Sequence, residues 1–213
     1  MISKTQKFWD KQAKRYDHRE RQFEPVFKEV IAKTRKYLNV NDNVLDFGCA
    51  TGTKTIELAS GIKHVYGLDI STEMINEAIL KKDKAKIMNV SFSQGTLFDN
   101  DFEKVSFDKI IAYGVIHLLE DSEKVIRRIH ELLKPDELFI STTACIKDKM
   151  AFKNSVVFAL YLFMKWLGIF PLHLNMFKSV DVERLIENQN FQIVESEKIF
   201  HGITVIFIVA KKL

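Results

Sequence analysis

Apolar positions change their spacing along this chain, and the changes outline its elements. Between residues 20 and 38, Phe23, Val26, Phe27, Val30 and Ile31 recur at three- and four-residue steps, which lines up one apolar face of a helix. Asn39, Asn41, Asp42 and Asn43 close that helix with turn chemistry. The pattern then shortens. Residues 44–47 read as a buried strand stopping at Gly48, and 53–59 as a helix. Residues 64–68 read as a second strand stopping at Asp69, and 71–82 as a helix with Ser71 as its N-cap. Further strands are predicted at 90–93, 107–112 and 138–142. A helix over 122–133 turns Val125, Ile126, Ile129, Leu132 and Leu133 inward. Strands that alternate with helices predict a parallel sheet covered on both faces. A helix over 180–189 precedes two strands, 191–196 and 203–210, joined by a short connection at His201-Gly202. These two are expected to pair as an antiparallel edge.

Residues 150–177 break the alternation. Phe152, Val156, Val157, Leu160, Phe163, Met164 and Leu167 recur at helical steps with little polar relief. A membrane span needs about 20 apolar residues. Here ten uncharged residues, 155–164, are followed by Lys165, and then by Gly168, Pro171 and His173. A lid or pocket wall is the expectation. The alternative is a helix lying on a membrane, with Lys149, Lys153, Lys165 and Lys178 facing headgroups. So much apolar surface is expected to serve a ligand, a second copy of the chain or a lipid surface.

Composition narrows the class. A chain of 213 residues, 46% hydrophobic and 28% charged, fits one large domain and excludes disordered or fibrous chains. The net charge is +4, and residues 147–178 carry all of it: five Lys against one Asp. The rest is neutral, so no basic face points to nucleic acid. Cys49 and Cys145 show neither metal-ligand spacing nor a disulfide framework, and no metal is expected. The charged first residues lack the apolar run of a signal peptide, so a cytoplasmic location is the default.

The chemistry concentrates at Val44-Leu45-Asp46-Phe47-Gly48-Cys49-Ala50-Thr51-Gly52-Thr53. A strand runs into a glycine turn, and a helix starts at once. A phosphate-binding fingerprint would read G-x-G-x-x-G. This loop reads G-x-x-x-G with an acid two residues ahead, which repels phosphate and suits a cation. Asp69 ends the second strand about 20 residues on, where an acid accepts hydrogen bonds from ribose hydroxyls. Together they describe an adenosine-type ligand with a cationic amino-acid end. S-adenosylmethionine fits that description. The missing phosphate fingerprint argues against a nicotinamide-dependent oxidoreductase. A non-catalytic cofactor-binding or membrane-docking module is a further alternative.

On these residues the chain resembles the class I S-adenosylmethionine-dependent methyltransferases, closest to the small-molecule branch related to quinone biosynthesis. Asp46 to Gly52 matches the family's glycine loop, with Ala50 in place of the middle glycine. Val65-Tyr66-Gly67-Leu68-Asp69-Ile70-Ser71 matches the second motif. Phe8-Trp9-Asp10, Ala13 and Tyr16-Asp17 match the lead-in, and residues 107–119 and 129–135 match the later motifs. Two positions depart: Gly95-Thr96 stands where the family has Gly-Asp, and Asp136-Glu137 where it has Gly-Gly.

The resemblance implies a Rossmann-like, doubly wound α/β fold. Its seven-stranded sheet is mostly parallel, with an antiparallel C-terminal edge hairpin and a helical lid insertion. One domain is expected: a helical cap (1–40), a cofactor-binding core (41–146), an apolar lid (147–180), and a last helix with the C-terminal strands (181–213). The implied activity is methyl transfer from S-adenosylmethionine, leaving S-adenosylhomocysteine, to a small apolar acceptor. Tyr16, Asp46, Gly48, Cys49, Ala50, Gly52, Asp69, Ile70, Thr96, Leu97 and Tyr113 are the expected cofactor residues. His117 lies just past the fourth strand, at the edge where open α/β sheets bind ligands, and is the candidate general base. His173 and His201 read as structural.

Overall fold

The computed structural model describes residues 3–99, 102–152, 154, 158–159, 162 and 173–213. Seven strands form one sheet in the order β3-β2-β1-β4-β5-β7-β6. They are β1 (Asn43–Phe47), β2 (His64–Asp69), β3 (Val90–Gln94), β4 (Phe107–Tyr113), β5 (Leu133–Ala144), β6 (Phe191–Phe200) and β7 (Thr204–Lys212). The first five are parallel. β7 enters antiparallel between β5 and the edge strand β6. The chain order reverses between β1 and β4, the point where such sheets open a crevice at their carboxyl ends.

Six helices flank the sheet among the described residues: α1 (Lys4–Glu20), α2 (Glu24–Arg35), α3 (Thr53–Leu58), α4 (Thr72–Lys84), α5 (Ser122–Leu132) and α6 (Ser179–Glu187). Two apolar layers fix them to it. On one face Val26, Val30 and Leu58 from α2 and α3 pack on Val65, Ile111, Ile140 and Val209. On the other, Ile126 and Ile129 of α5 and Val182 of α6 pack on Ile110, Phe139 and Ile208. Ile110 and Ile111 are successive, so their side chains leave opposite faces of β4 and serve both layers. Ser71 caps α4 by accepting from the Met74 N–H at 3.2 Å.

The N-terminal helices, β5 and β6 differ from the pattern-based expectation, β6 running to Phe200 rather than to residue 196. Residues 4–20, polar with embedded aromatics, form a 17-residue helix, and the helix expected from residue 20 begins at Glu24 after a 3-10 turn, Arg21–Phe23. Apolar periodicity could not show α1, because carboxylates hold much of its contact with the body. β5 starts five residues early, at Leu133, and extends to Ala144 through the antiparallel ladder with β7. Of the apolar stretch 150–177, residues 153, 155–157, 160–161 and 163–172 lie outside the described residues, and most of the expected lid falls on them. Among the described residues no helix is long and apolar enough to cross a membrane.

Candidate active site

The loop after β1 alternates its backbone hand: Gly48, Ala50 and Gly52 have φ of 75°, 49° and 70°. At Gly52 the requirement is also steric, because a Cβ there would stand 2.5 Å from the Phe92 ring and 2.8 Å from the Ala78 Cβ. The loop's first N–H groups are committed to β2. Gly48 and Cys49 donate to the Leu68 carbonyl at 2.8 and 3.1 Å, and Ala50 donates to Asp69 Oδ2 at 2.9 Å. Asp69 Oδ1 accepts from the Ser71 N–H at 2.9 Å. Asp69 thus ties the glycine loop to the start of α4. Each of its oxygens has accepted one bond and keeps acceptor capacity for a ligand. Burial raises its pKa, and the backbone N–H groups of Ser71, Ala50 and Ile70 oppose the rise.

A cavity of about 260 Å3 opens over this junction. Tyr16, Gly48, Ala50, Asp69, Ile70, Thr96, Leu97 and Tyr113 line it, so eight of the expected cofactor residues meet there. Asp46, Cys49 and Gly52 do not. Asp46 is buried under the loop, where its Oδ2 accepts from the Thr55 hydroxyl at 2.6 Å, and burial pushes its carboxyl up to about 6. Cys49 is buried with its thiol raised by burial, so it is a packed neutral group. The Tyr113 hydroxyl is paired with Thr34 of α2, which ties the floor of the cavity to the N-terminal helices.

α1 roofs the cavity. Thr5, Trp9 and Tyr16 share its inward face and line the space; their spacing of four and seven residues was the available signal for Thr5 and Trp9. A second row of α1 side chains grips the body. Asp10 accepts from the Ser71 hydroxyl at 2.7 Å and the Glu73 N–H at 3.2 Å, at the start of α4. Asp17 accepts from the Thr51 hydroxyl at 2.6 Å and pairs with Lys81. Glu20 pairs with Lys54 at 2.8 Å. Acids near helix N-termini are favoured by the exposed N–H groups there. Burial, followed by the charges of Glu20, Asp69, Asp17 and Asp46, lifts the Tyr16 phenol well above its ordinary range. Its hydroxyl has no hydrogen-bond partner among the described residues. The same field that disfavours a phenolate favours a cation. A carboxylate with spare acceptor capacity, a negative field and an apolar wall of Ile70, Leu97 and Val115 fit the ribose, the positive centre and the adenine of S-adenosylmethionine.

The Thr96 N–H donates to Asp99 and the Thr96 hydroxyl accepts from the Phe98 N–H at 3.2 Å, so Asp99 organises the segment after β3. His117 is placed otherwise than the first cavity requires. It lines a separate hollow, with Nδ1 buried and without a partner among the described residues, and burial lowers its imidazole to about 4. His173 Nε2 meets Asn175 Oδ1 at 2.9 Å, and His201 Nε2 meets the Gln22 carbonyl at 3.0 Å.

The family profile described as methyltransferase domain matches residues 38–199. The chain belongs to the methyltransferase-domain family. S-adenosylmethionine is the cofactor of this class of domain. The domain is 34% identical over 152 residues to an uncharacterized protein of Methanocaldococcus jannaschii, covering 69% of this chain and 55% of that one. It is 37% identical over 111 residues to the demethylmenaquinone methyltransferase of Lactococcus lactis, covering 49% and 43%. The match thus spans about half the length of these relatives. Magnesium protoporphyrin IX methyltransferase of Synechocystis, solved with bound SAH, superposes with a TM-score of 0.69 at 22% identity, over 90% of this chain and 84% of that one, which shows the shared fold.

Proposed function

We propose that the protein transfers a methyl group from S-adenosylmethionine to a small, apolar acceptor in the cytoplasm. The observation that carries this reading is the convergence of Asp69 and the Gly48–Ala50 turn on one cavity with apolar side walls and a negative field. In this reading Asp69 accepts from the ribose hydroxyls, Thr96 and Leu97 flank the adenine, and Ile70 and Tyr113 wall the cavity. Gly48 runs beside the amino-acid end and Tyr16 closes the roof. Asp46, Cys49 and Gly52 act from beneath by shaping the turn. Residues 1–40 then serve as cap, 41–146 as cofactor core, 147–180 as acceptor cover and 181–213 as the completing edge.

S-adenosylmethionine, when bound, supplies a methyl group already activated on a positively charged sulfur. The chain's task is therefore to align the acceptor and exclude water. The shared carboxylate field favours the positive charge, and α1 closes the cavity from solvent. Calorimetry with S-adenosylhomocysteine and with NAD tests the reading. S-adenosylhomocysteine is expected to bind and NAD to leave no signal. Binding of NAD in preference would restore the oxidoreductase alternative.

A further inference from the structure

α1 separates its charges by face. Asp10, Asp17 and Glu20 turn onto the body, where they meet Ser71, Lys81 and Lys54. Lys4, Lys7, Lys11, Lys14 and Arg15 recur at three- and four-residue steps on the side away from Thr5, Trp9 and Tyr16. All five are exposed, and none of their side chains has a hydrogen-bond or ion-pair partner among the described residues. Charge that balances along the sequence is therefore divided in space, and the roof of the cofactor cavity presents an unopposed cationic stripe.

The same end of the molecule carries bare apolar side chains. β5 and β6 end there and β7 begins there, so the β6–β7 tip and the segment after β5 stand at the carboxyl edge with the roof. At the tip, the His201 ring meets the Gln22 carbonyl of the α1–α2 junction, and the Gly202 carbonyl accepts from the Ala151 N–H at 2.8 Å. Phe152 is 85% exposed and Phe200 49%, with the Lys149 ammonium 5.1 Å from the Phe200 ring. Lys147 and Lys149 are themselves exposed. Glu120 and Glu123, exposed acids at this end, belong to the start of α5, on the face of the sheet opposite α2.

We propose that this end of the molecule docks on an anionic bilayer. The α1 stripe, Lys147 and Lys149 lie among the lipid phosphates, and Phe152 and Phe200 insert between the headgroups. Cations alone would suit any polyanion. Exposed phenylalanines beside them gain most by leaving water for an apolar phase, which a bilayer supplies directly beneath its charged surface. An apolar acceptor also concentrates in a bilayer, a use of the surface that rests on the methyl-transfer reading above.

The test floats the full-length protein with phosphatidylcholine vesicles, with and without phosphatidylglycerol. Binding is expected to the anionic vesicles, to be at least tenfold weaker to the neutral ones, and to fall as salt is added. Combined Lys4→Gln, Lys7→Gln, Lys11→Gln and Lys14→Gln should weaken anionic-vesicle binding at least tenfold, with affinity for S-adenosylhomocysteine within threefold of wild type. Combined Phe152→Ser and Phe200→Ser should weaken vesicle binding at least threefold and make the remainder more salt-sensitive. Wild type that stays unbound to anionic vesicles, or either variant binding them as wild type does, overturns the proposal. So does a single-stranded RNA that binds more tightly than the vesicles and loses affinity in the lysine variant alone, which would assign the stripe to nucleic acid. Calorimetry with S-adenosylhomocysteine is read separately: its failure on wild type overturns the methyl-transfer reading and leaves the flotation result standing.

Discussion

The carboxyl edge of the sheet has two halves built on opposite terms. Over β1 and β2 the buried polar groups are paired. Asp46 is bonded to Thr55, Asp69 to two backbone N–H groups, and the first N–H groups of the glycine loop to Leu68 and Asp69. Over β4 and β5, His117 Nδ1, Ser141 Oγ and Thr143 Oγ1 are buried and unpaired among the described residues. The first half is pre-organised: its geometry holds before any ligand arrives. The second half leaves polar groups without partners, and of these only His117 lines a hollow among the described residues. Paired groups give rigidity, and open ones give selectivity for whatever completes them.

The strongest way to break the first half is at its steric pivot. Gly52→Ala would force a side chain into a left-handed turn and against Phe92 and Ala78. A loss of roughly 2–4 kcal/mol of stability is expected. Denaturant unfolding checks it, and an unchanged midpoint would show that the loop can repack.

The two halves also titrate in opposite directions. Asp46 is raised to about 6 when folded, so the folded protein holds its proton more tightly, and stability falls as pH rises through the window from its ordinary 3.8 to about 6. His117 is lowered to about 4, so the unfolded chain holds that proton more tightly, and stability is lost as pH falls from 6.5 to about 4. Each contribution is at most about 3 kcal/mol, and in wild type they offset. Asp46→Asn should therefore leave a melting temperature that climbs between pH 4 and 6.5, and His117→Gln one that declines. Melting curves for both variants across that range decide the matter; parallel profiles would mean that the two groups do not carry these shifts.

Asp69→Ala removes an acceptor from two backbone donors and from the proposed ribose contact. Affinity for S-adenosylhomocysteine should drop by about 1–3 kcal/mol. Undiminished affinity by calorimetry would remove Asp69 from the cofactor site. The smallest effect is expected at the roof. Asp17→Asn weakens a half-exposed ion pair with Lys81, and less than about 1 kcal/mol of stability should go with it. Its clearer signature is kinetic: if α1 must lift to exchange cofactor, release of S-adenosylhomocysteine in stopped flow should quicken and lose part of its salt dependence.

Much of this was legible from residue order alone. Val44, Leu45, Ile110, Ile111 and Ile140 mark central strands because a strand buried on both faces must be apolar at every step. Gly48, Gly52 and Asp69 mark the turn and the acid because few other residue types meet those local demands. Local rules act within a few residues, and sequence displays them directly. α1 escaped that reading: Asp10, Asp17 and Glu20 look like any solvated helix face until Ser71, Thr51 and Lys54 arrive from other elements. The division among the expected cofactor residues was equally hidden. Asp46 and Asp69 are both acids at strand ends, yet the fold sends one beneath the loop to Thr55 and leaves the other at the cavity wall. His117 was visible as a histidine at the carboxyl edge. Its assignment to a second hollow, with both ring nitrogens unpaired among the described residues, depends on β5, the β6–β7 hairpin and the α1–α2 junction meeting around it. Burial and partnership belong to pairs of residues far apart in the chain, and only the packed structure determines which pairs form.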